Sequence, residues 1–212
     1  MTFASRQDAG RRLGKYLQET AVEADCVLGL PRGGVVVAAE VASCLHCPLA
    51  ALIVRKLGHP WHREFAVGAL AEAGVVILDE DSIGLNPLVR ADLKDVIEEE
   101  TLRLRDYVIK FHGDTPPNYS GQSVLIVDDG LATGATAEAA VSSARKQGAR
   151  RVLVAAPVAS VEAAHRLQRV ADQLIALQVL PKFQAVGRHY IRFEQTTDEE
   201  VVALLRATHS VH

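Results

Sequence analysis

The segment VLIVDDGLATGAT, residues 124–136, contains the features that decide the fold. Its first four residues are apolar, which is typical of a buried strand, and two adjacent aspartates, Asp128 and Asp129, end that run. A loop with two glycines and two threonines follows, and the alanine-rich stretch after the loop predicts a helix. A strand, a glycine-containing turn and a helix in this order are typical of an α/β protein with a parallel sheet.

Apolar runs alternate with helical patterns along most of the chain. Strands are expected over residues 24–30, 50–54, 124–127, 151–157 and 173–178. Helices are expected near the start of the chain, from Thr197 onward, and over residues 35–45, 87–110, 135–147 and 160–171. We also expect a polar loop over 57–64, a hairpin over 65–78 and a break at Pro116 and Pro117. The alternation predicts an α/β fold whose mostly parallel, twisted sheet carries helices on both faces.

Length, composition and charge limit the classes of protein to consider. The 212 residues suffice for one large domain or two small ones, and 49% hydrophobic residues support a sizeable core. A formal net charge of −3 does not favour a nucleic-acid-binding surface. Three cysteines, an odd number, favour a reducing cytoplasm over a disulfide framework, and we expect neither a secretory signal nor a membrane span.

The loop after the two aspartates has the composition of an anion-binding turn. The first backbone N–H groups of a helix lack partners within the helix, and the helix dipole favours an anion beside them. Gly130 and Gly134 allow close approach of the backbone to a ligand. Thr133 and Thr136 add hydroxyl donors, and each hydrogen bond to a charged oxygen contributes roughly 1.5–3 kcal/mol. A phosphate monoester is therefore the expected guest.

Two familiar phosphate-binding motifs do not match this loop. The P-loop requires a lysine directly after its last glycine, where this chain has Ala135. The dinucleotide motif requires an acid about 20 residues downstream of its glycines, whereas here the acids precede the loop. Carboxylates at a strand end accept hydrogen bonds from ribose hydroxyls or hold hydrated Mg²⁺. We therefore expect a ribose at Asp128 and Asp129 and its 5′-phosphate in the loop; a solvated Asp-Asp turn is the alternative.

Two other expected strand ends carry unusual residues. The segment PRGG, residues 31–34, follows the first strand, and Arg55-Lys56 follows the second. In open α/β sheets, ligands bind beyond the carboxyl ends of the strands. We expect both segments to converge with residues 128–130, provided that their strands are neighbours in the sheet.

Together these motifs resemble those of the type I phosphoribosyltransferases, which use 5-phosphoribosyl-1-pyrophosphate (PRPP). The PRPP motif of that family is a hydrophobic run, two acids and a loop ending in Thr-Gly-x-Thr or Ser, and residues 124–136 match it. Residues 29–34, GLPRGG, resemble the pyrophosphate-binding loop, and residues 54–57, VRKL, resemble the next strand end. Residues 183–187, FQAVG, stand where the family places its base-recognising hood. In detail the chain is most similar to a bacterial group of predicted phosphoribosyltransferases of unsettled acceptor.

The resemblance implies an organisation and an activity. It implies a single domain over residues 1–212, with a Rossmann-like core at about 20–180, a mobile loop and hairpin at about 57–79 and a small C-terminal hood at about 181–195. It implies Mg²⁺-dependent transfer of the 5-phosphoribosyl group from PRPP to a nitrogenous acceptor, with release of pyrophosphate. The partners would be PRPP, a small-molecule acceptor and a second copy in a homodimer, without nucleic acid or membrane.

The resemblance also implies roles for individual residues. The expected catalytic residues are Asp128, Asp129, Lys56 and Glu64, and the two aspartates are the expected magnesium ligands. The expected PRPP-binding residues are Asp128, Asp129, Gly130, Leu131, Ala132, Thr133, Gly134, Ala135 and Thr136. The expected pyrophosphate-binding residues are Pro31, Arg32, Gly33, Gly34, Arg55 and Lys56. Phe183 and Val186 are expected to line the acceptor pocket.

One position departs from part of the family. In the enzymes for 6-oxopurines, the residue before Thr-Gly is an aspartate that handles a proton on the base, and here it is Ala132. The run Leu-Ala-Thr-Gly is closer to the adenine and uracil enzymes, which argues against hypoxanthine or guanine as the acceptor. Any general base would then come from elsewhere. Glu64 and Glu72 are candidates by position, and solvated loop carboxylates are the alternative.

Other interpretations stay open at this point. A PRPP-sensing regulator that binds RNA or DNA would have the same motifs with little or no turnover. A phosphatase would use Asp128 as its nucleophile, although the threonine-containing loop has no role in that reaction. Trp61 could stack on a base or simply pack the expected loop, and Tyr190 and Phe193 could wall the acceptor site or form ordinary core.

Overall fold

A computed structural model describes residues 2–84, 87–113 and 118–209. The strands are β1 (Cys26–Gly29), β2 (Leu49–Ala51), β3 (Val54–His59), β4 (His62–Ala71), β5 (Val75–Leu78), β6 (Ser123–Val127), β7 (Arg151–Ser160) and β8 (Gln173–Leu180). The helices are α1 (Arg6–Glu19), α2 (Gly33–Leu45), α3 (Glu80–Ile83), α4 (Pro87–His112), α5 (Ala135–Lys146), α6 (Val161–Leu167) and α7 (Asp198–His209). The expected break at Pro116 and Pro117 lies outside the described residues.

Five parallel strands form the main sheet in the order β2-β1-β6-β7-β8. Leu28 in β1 is opposite Ala50 of β2 on one side and Ile126 of β6 on the other. From this centre the chain winds outward to β2 in one direction and through β7 to β8 in the other. The winding therefore reverses between β1 and β6, and such a switch point opens a crevice beyond the carboxyl ends of the two strands.

Helices cover both faces of this sheet. Along β6, Leu125 and Val127 face a core shared with α1, α2 and α7, whereas Val124 and Ile126 face a core shared with α5 and α6. All four side chains are fully buried. A strand that is covered on both faces requires a continuous apolar run, which explains why the sequence pattern identified β6 so clearly. The predicted α/β fold, with a mostly parallel sheet between two helical layers, is confirmed.

A second, antiparallel sheet consists of β3, β4 and β5. The polar loop expected over 57–64 is wrong, because β3 and β4 pair as far as His59 and His62 and only Pro60 and Trp61 connect them. The first five residues of β4 are all exposed, so this part of the strand lacks the apolar alternation that marks a half-buried strand. Pairing with β3 satisfies its backbone N–H and C=O groups without that burial.

The inner end of this second sheet follows the prediction more closely. The expected hairpin through residues 72–74 is confirmed, since Ala71 of β4 is opposite Val75 of β5 across a short 3-10 turn. Trp61, at the outer tip, is half exposed, and its Nε1 donates to Asp92 of α4 at 2.8 Å. The structure thus places Trp61 as a contact that holds the hairpin tip against α4.

The segment after β8 returns to the beginning of the chain. Residues 181–195, here called the hood segment, pair with Phe3, whose N–H donates to His189 O at 2.8 Å and whose carbonyl accepts from Ile191 N at 2.8 Å. The rings of Phe3 and Tyr190 pack at 5.5 Å between centroids. Beyond the hood segment, α7 begins where the helix from Thr197 onward was expected. Thr197 and Glu200 exchange hydrogen bonds there in a capping box. Within the described ranges, no helix is long and apolar enough to cross a membrane.

Candidate active site

A cavity of about 430 Å³ opens at the switch point between β1 and β6. Two strand ends reach it as the sequence predicted: residues 31–33 after β1 and residues 128–134 after β6. Arg55 and Lys56 also line it, but they lie near the beginning of β3 in the second sheet and not after the parallel strand β2, which ends at Ala51. The lining residues are Leu30, Pro31, Arg32, Gly33, Val54, Arg55, Lys56, Asp128, Asp129, Gly130, Leu131, Ala132, Thr133, Gly134, Thr136, Ala137 and Val186. The predicted convergence is therefore present in the structure.

Two carboxylates stand side by side in the wall of this cavity. The backbone N–H of Asp129 donates to Oδ1 of Asp128 at 2.8 Å. Withdrawal from water and the neighbouring charge of Asp129 raise the pKa of Asp128 to about 8. Withdrawal from water also raises the pKa of Asp129, whereas a hydrogen bond from Arg6 and the charges of Arg6 and Lys56 lower it. Two negative charges are therefore unfavourable together at this place, and a cation beside the pair would stabilise its fully ionised form.

The N-terminus of α2 lies directly against the aspartates. A Cβ atom on Gly33 would lie 2.2 Å from Asp129 Oδ2, and one on Gly34 would lie 2.9 Å from Asp128 Oδ1. Only glycine at both positions leaves room for the two carboxylates. The peptide bond between Pro31 and Arg32, just before this turn, is cis.

The two helices that begin at the cavity have no side-chain caps. Neither Arg32, before α2, nor Gly134, before α5, makes a side-chain capping hydrogen bond, whereas Ser5 and Ser160 cap α1 and α6. In these first turns Val35 N donates to Arg32 O at 3.2 Å and Ala135 N donates to Thr133 Oγ1 at 3.4 Å, and the other first N–H groups remain available to an anion at the cavity. Two such helix N-termini, one on each side of a carboxylate pair, suit a ligand that carries two phosphate groups.

The loop that leads into α5 is held in shape by the end of β7. Leu131 N donates to Val158 O at 2.9 Å, and Ser160 N donates to Leu131 O at the same distance. Ser160 Oγ also donates to Ala132 O at 2.5 Å. Gly134 has a φ of 78°, a conformation that glycine adopts without strain, and this turns the chain into α5.

The basic residues of the cavity wall differ in their partners. Lys56 is exposed, and its positive charge partly offsets the rise in the pKa of both aspartates. Arg55 Nε donates to Glu100 of α4 at 2.8 Å, and Arg32 forms an ion pair with Asp198 of α7 at 3.6 Å. Arg32 and Arg55 thus contribute charge to the cavity while carboxylates of neighbouring helices hold their guanidinium groups.

Several predicted site residues do not line the cavity. Gly34 and Ala135 lie in the first turns of the two helices, behind the lining atoms. Phe183 packs against the His189 ring at 5.2 Å between centroids, and Glu64 is exposed on β4. Of the predicted acceptor residues, Val186 lines the cavity, with its side chain against Gly130. The roles of Glu64 and Phe183 stay predictions.

Glu72 is not among the residues that line the cavity. It is buried, accepts a hydrogen bond from Ile53 N at 2.6 Å and lies 2.9 Å from His112 Nε2. The hydroxyl of Ser143 donates to its backbone carbonyl at 2.8 Å. Glu72 therefore joins the segment after β2 to α4 and α5 in the interior, and the proposal of a base at this position is wrong.

Two contacts to Asp129 were not evident from the sequence. Arg6 Nε donates to Asp129 Oδ2 at 2.7 Å, and the hydroxyl of Tyr190 donates to Asp129 O at 2.5 Å. Arg6 is one of three arginines in the first 12 residues, and no local pattern separates it from the other two. For Tyr190, the alternative of hood core is the better description, although its hydroxyl also reaches the site.

Comparison with known proteins places the chain in a family. The family model described as the phosphoribosyl transferase domain matches residues 4–183. The protein Rv0571c from Mycobacterium tuberculosis (strain H37Rv), whose name proposes a phosphoribosyl transferase, is 42% identical over 208 residues. That match covers 98% of this chain and 47% of the relative, so the chain spans about half the length of the curated relatives that it matches.

Solved structures share the fold of this chain. The structure of TT1426 from Thermus thermophilus is 42% identical, with a TM-score of 0.81, and the match covers 98% of this chain and 99% of that one. A purine phosphoribosyltransferase from Pyrococcus horikoshii, at 16% identity and a TM-score of 0.51, shares the fold over 92% of this chain and 96% of its own. The cavity at the switch point, the acid pair and the matched domain agree, and the chain belongs to the phosphoribosyl transferase family.

Proposed function

We propose that this chain transfers the 5-phosphoribosyl group of PRPP to a nitrogenous acceptor and releases pyrophosphate. The observation that carries the proposal is the arrangement of one cavity around three elements: the uncapped N-termini of α2 and α5 and the acid pair between them. PRPP has the matching sequence of groups, with a monophosphate and a diphosphate at opposite ends of a ribose. Each phosphate would meet backbone N–H groups, and the ribose hydroxyls would meet carboxylate oxygens.

The phosphate at the 5′ position is assigned to the loop at residues 130–136. This loop carries the hydroxyls of Thr133 and Thr136 and the N–H groups of the first turn of α5, of which Ala135 N donates to Thr133 Oγ1 at 3.4 Å. The diphosphate is assigned to the α2 side, where Arg32, Arg55 and Lys56 supply positive charge. The opposite assignment is less favourable, because the residues 130–136 include no lysine or arginine to balance the larger charge of a diphosphate.

Magnesium fits the donor set of the acid pair. Mg²⁺ prefers oxygen ligands and usually binds through one or two carboxylates, with waters and substrate phosphates completing its shell. Asp128 and Asp129 offer that number of carboxylates. Among the described residues, no group of three or more His, Cys, Asp or Glu side chains could hold a metal ion without such additional ligands. When bound, the ion would act as a Lewis acid toward the diphosphate oxygens.

The residues of the cavity would act mainly by position and charge. In the transfer, a nitrogen of the acceptor forms a bond to the anomeric carbon, and the bond from that carbon to the pyrophosphate oxygen breaks with its electron pair. Positive charge develops on the ribose, where Asp129 would stabilise it, and negative charge develops on pyrophosphate, where Lys56 and the α2 amides would stabilise it. The proton of the acceptor nitrogen would leave to solvent or to a base such as Glu64.

A nucleobase other than a 6-oxopurine is the proposed acceptor. Ala132 is exposed at the cavity, so the position before Thr133 offers a methyl group and no carboxylate to a bound base. Val186, packed on Gly130, provides an apolar surface on the same side of the cavity. A flat base could rest on that surface, which belongs to the hood segment.

A pyrophosphate-release assay tests the proposal. Purified protein would be mixed with PRPP, Mg²⁺ and each member of a panel of nucleobases and small amines, and pyrophosphate would be measured. We expect release that requires one acceptor class and that falls by about 100-fold or more in Asp129→Asn. Asp106→Asn, which changes an exposed carboxylate of α4, is the matched control. PRPP binding without release from any acceptor would contradict the enzyme and support the regulatory alternative.

A further inference from the structure

Arg6 makes three contacts that all concern the acid pair or the hood segment. Its Nε donates to Asp129 Oδ2 at 2.7 Å, and its Nη1 donates to the carbonyl of Glu194 at 2.6 Å. Its guanidinium carbon lies 3.8 Å from the centroid of the Phe193 ring. The side chain is only 12% exposed, so one arginine of the first helix is enclosed between a cavity carboxylate and the hood segment.

The ion pair lies at the reaction centre of the proposed transfer. A Cβ atom on Gly33 would lie 2.2 Å from Asp129 Oδ2 and 2.6 Å from Arg6 Nε, so the pair touches the backbone at the start of α2. Tyr190, also in the hood segment, holds the other end of the same residue through Asp129 O. Asp129 is therefore fixed at its side chain and at its backbone by groups that lie outside the PRPP loop.

Arg6 differs from the other arginines of α1 in where its ion pair lies. Other arginines of α1 form their ion pairs at the surface: Arg12 with Asp8 in the same helix and Arg11 with Glu40 of α2. Arg6 could have reached a structural carboxylate in the same way. It binds instead a carboxylate of the cavity wall, and it contacts that group through Oδ2.

We propose that Arg6 is a positioning residue for the phosphoribosyl transfer: it fixes the carboxylate of Asp129 toward the ribose and couples that orientation to the hood segment. Because Oδ2 is taken by Arg6, Oδ1 is the oxygen left for a ribose hydroxyl or a hydrated cation. The Phe193 and Glu194 contacts connect the same guanidinium to the side from which the acceptor would approach. This inference rests on the proposed function, since it assumes that the cavity binds PRPP.

A double-mutant cycle on PRPP affinity tests the inference. Isothermal titration calorimetry would give the dissociation constant for PRPP with Mg²⁺ in the wild type, Arg6→Met, Asp129→Asn and the double variant. We expect Arg6→Met to weaken binding by about tenfold in the wild-type background and by less than about twofold in the Asp129→Asn background. Arg11→Met, which removes an exposed ion pair of the same helix, should bind PRPP like the wild type.

The variants also separate the possible failures. Arg6→Lys keeps the positive charge but cannot donate to Asp129 and to Glu194 O at the same time, so we expect an affinity for PRPP between those of the wild type and Arg6→Met. If Arg6→Met does not fold, Arg6→Lys replaces it in the cycle. Equal losses in both Asp129 backgrounds would show that Arg6 does not act through this carboxylate and would overturn the inference alone. A wild type that does not bind PRPP would overturn the proposed function and this inference with it.

Discussion

Gly33→Ala is a minimal perturbation of the proposed site. The added methyl carbon would lie 2.2 Å from Asp129 Oδ2, and contacts below 3.0 Å do not persist, so the carboxylate must retreat by about 0.8 Å. That movement disturbs the 2.7 Å ion pair with Arg6. A misplacement of about 1 Å in a reactive constellation lowers activity by about 100-fold, and we expect PRPP affinity to fall by about tenfold or more.

The same substitution has little reason to unfold the protein. Gly33 begins α2, where alanine favours the helix by up to about 1 kcal/mol, and this gain offsets part of the steric cost. Calorimetry with PRPP and Mg²⁺ would report affinity, and thermal unfolding would report stability. Ala39→Gly, on the same helix and away from the cavity, is the control for helix stability. Wild-type affinity in Gly33→Ala would refute the placement of Asp129 against this turn.

Three further predictions concern the loop, the acid pair and the buried glutamate. Ser160→Ala removes the hydrogen bond to Ala132 and the cap of α6; we expect a loss of about 1–2 kcal/mol in denaturant unfolding and weaker PRPP binding. The pKa of Asp128 is raised to about 8, so the folded protein keeps a proton that the unfolded chain loses near pH 4. The free energy of unfolding without ligand should therefore fall as the pH rises from about 4 to about 8. Asp128→Asn should then give a higher and less pH-dependent Tm at pH 8, and a Tm below that of the wild type would contradict this reasoning. Glu72→Ala leaves Ile53 N and His112 without the carboxylate that they contact. We therefore expect the free energy of unfolding to fall by about 1–3 kcal/mol while PRPP affinity stays unchanged. Weaker PRPP binding at wild-type stability would instead identify Glu72 as a site residue.

Local chemistry made the centre of the site predictable. Residues 124–136 contain a buried strand, its acidic end and the glycine that begins the next helix, and each of these is a property of neighbouring residues. The rule that ligands bind beyond the carboxyl ends of parallel strands then brought residues 31–33 to the same place. Lys56 also reaches the cavity, but from β3 of the second sheet, so that rule does not account for its position. These predictions needed no long-range contact beyond the order of the strands.

The parts that sequence reasoning missed depend on contacts between distant residues or on exposed backbone pairing. Arg6 and Asp129 are 123 positions apart, and the sequence around Arg6 resembles any amphipathic helix start. The hairpin at His59 and His62 has polar residues on both faces, so no apolar period indicated its strands. Glu72 seemed to be a loop carboxylate because the burial of its side chain depends on His112 and Ile53, which lie elsewhere in the chain.

The pairing of Phe3 with the hood segment has a consequence for how this protein would lose its ability to bind a ligand. Residues 3–6 and 189–194 hold each other and Asp129 through a few hydrogen bonds, and they lie outside the five-stranded sheet. Segments held by few contacts open at lower free energy than central strands. Detachment of these few residues would release Asp129 while β1, β6 and β7 remain folded, so amide exchange at Phe3 and Ile191 would precede exchange at Ile126. Heating would then abolish ligand binding before the cooperative melting of the molecule.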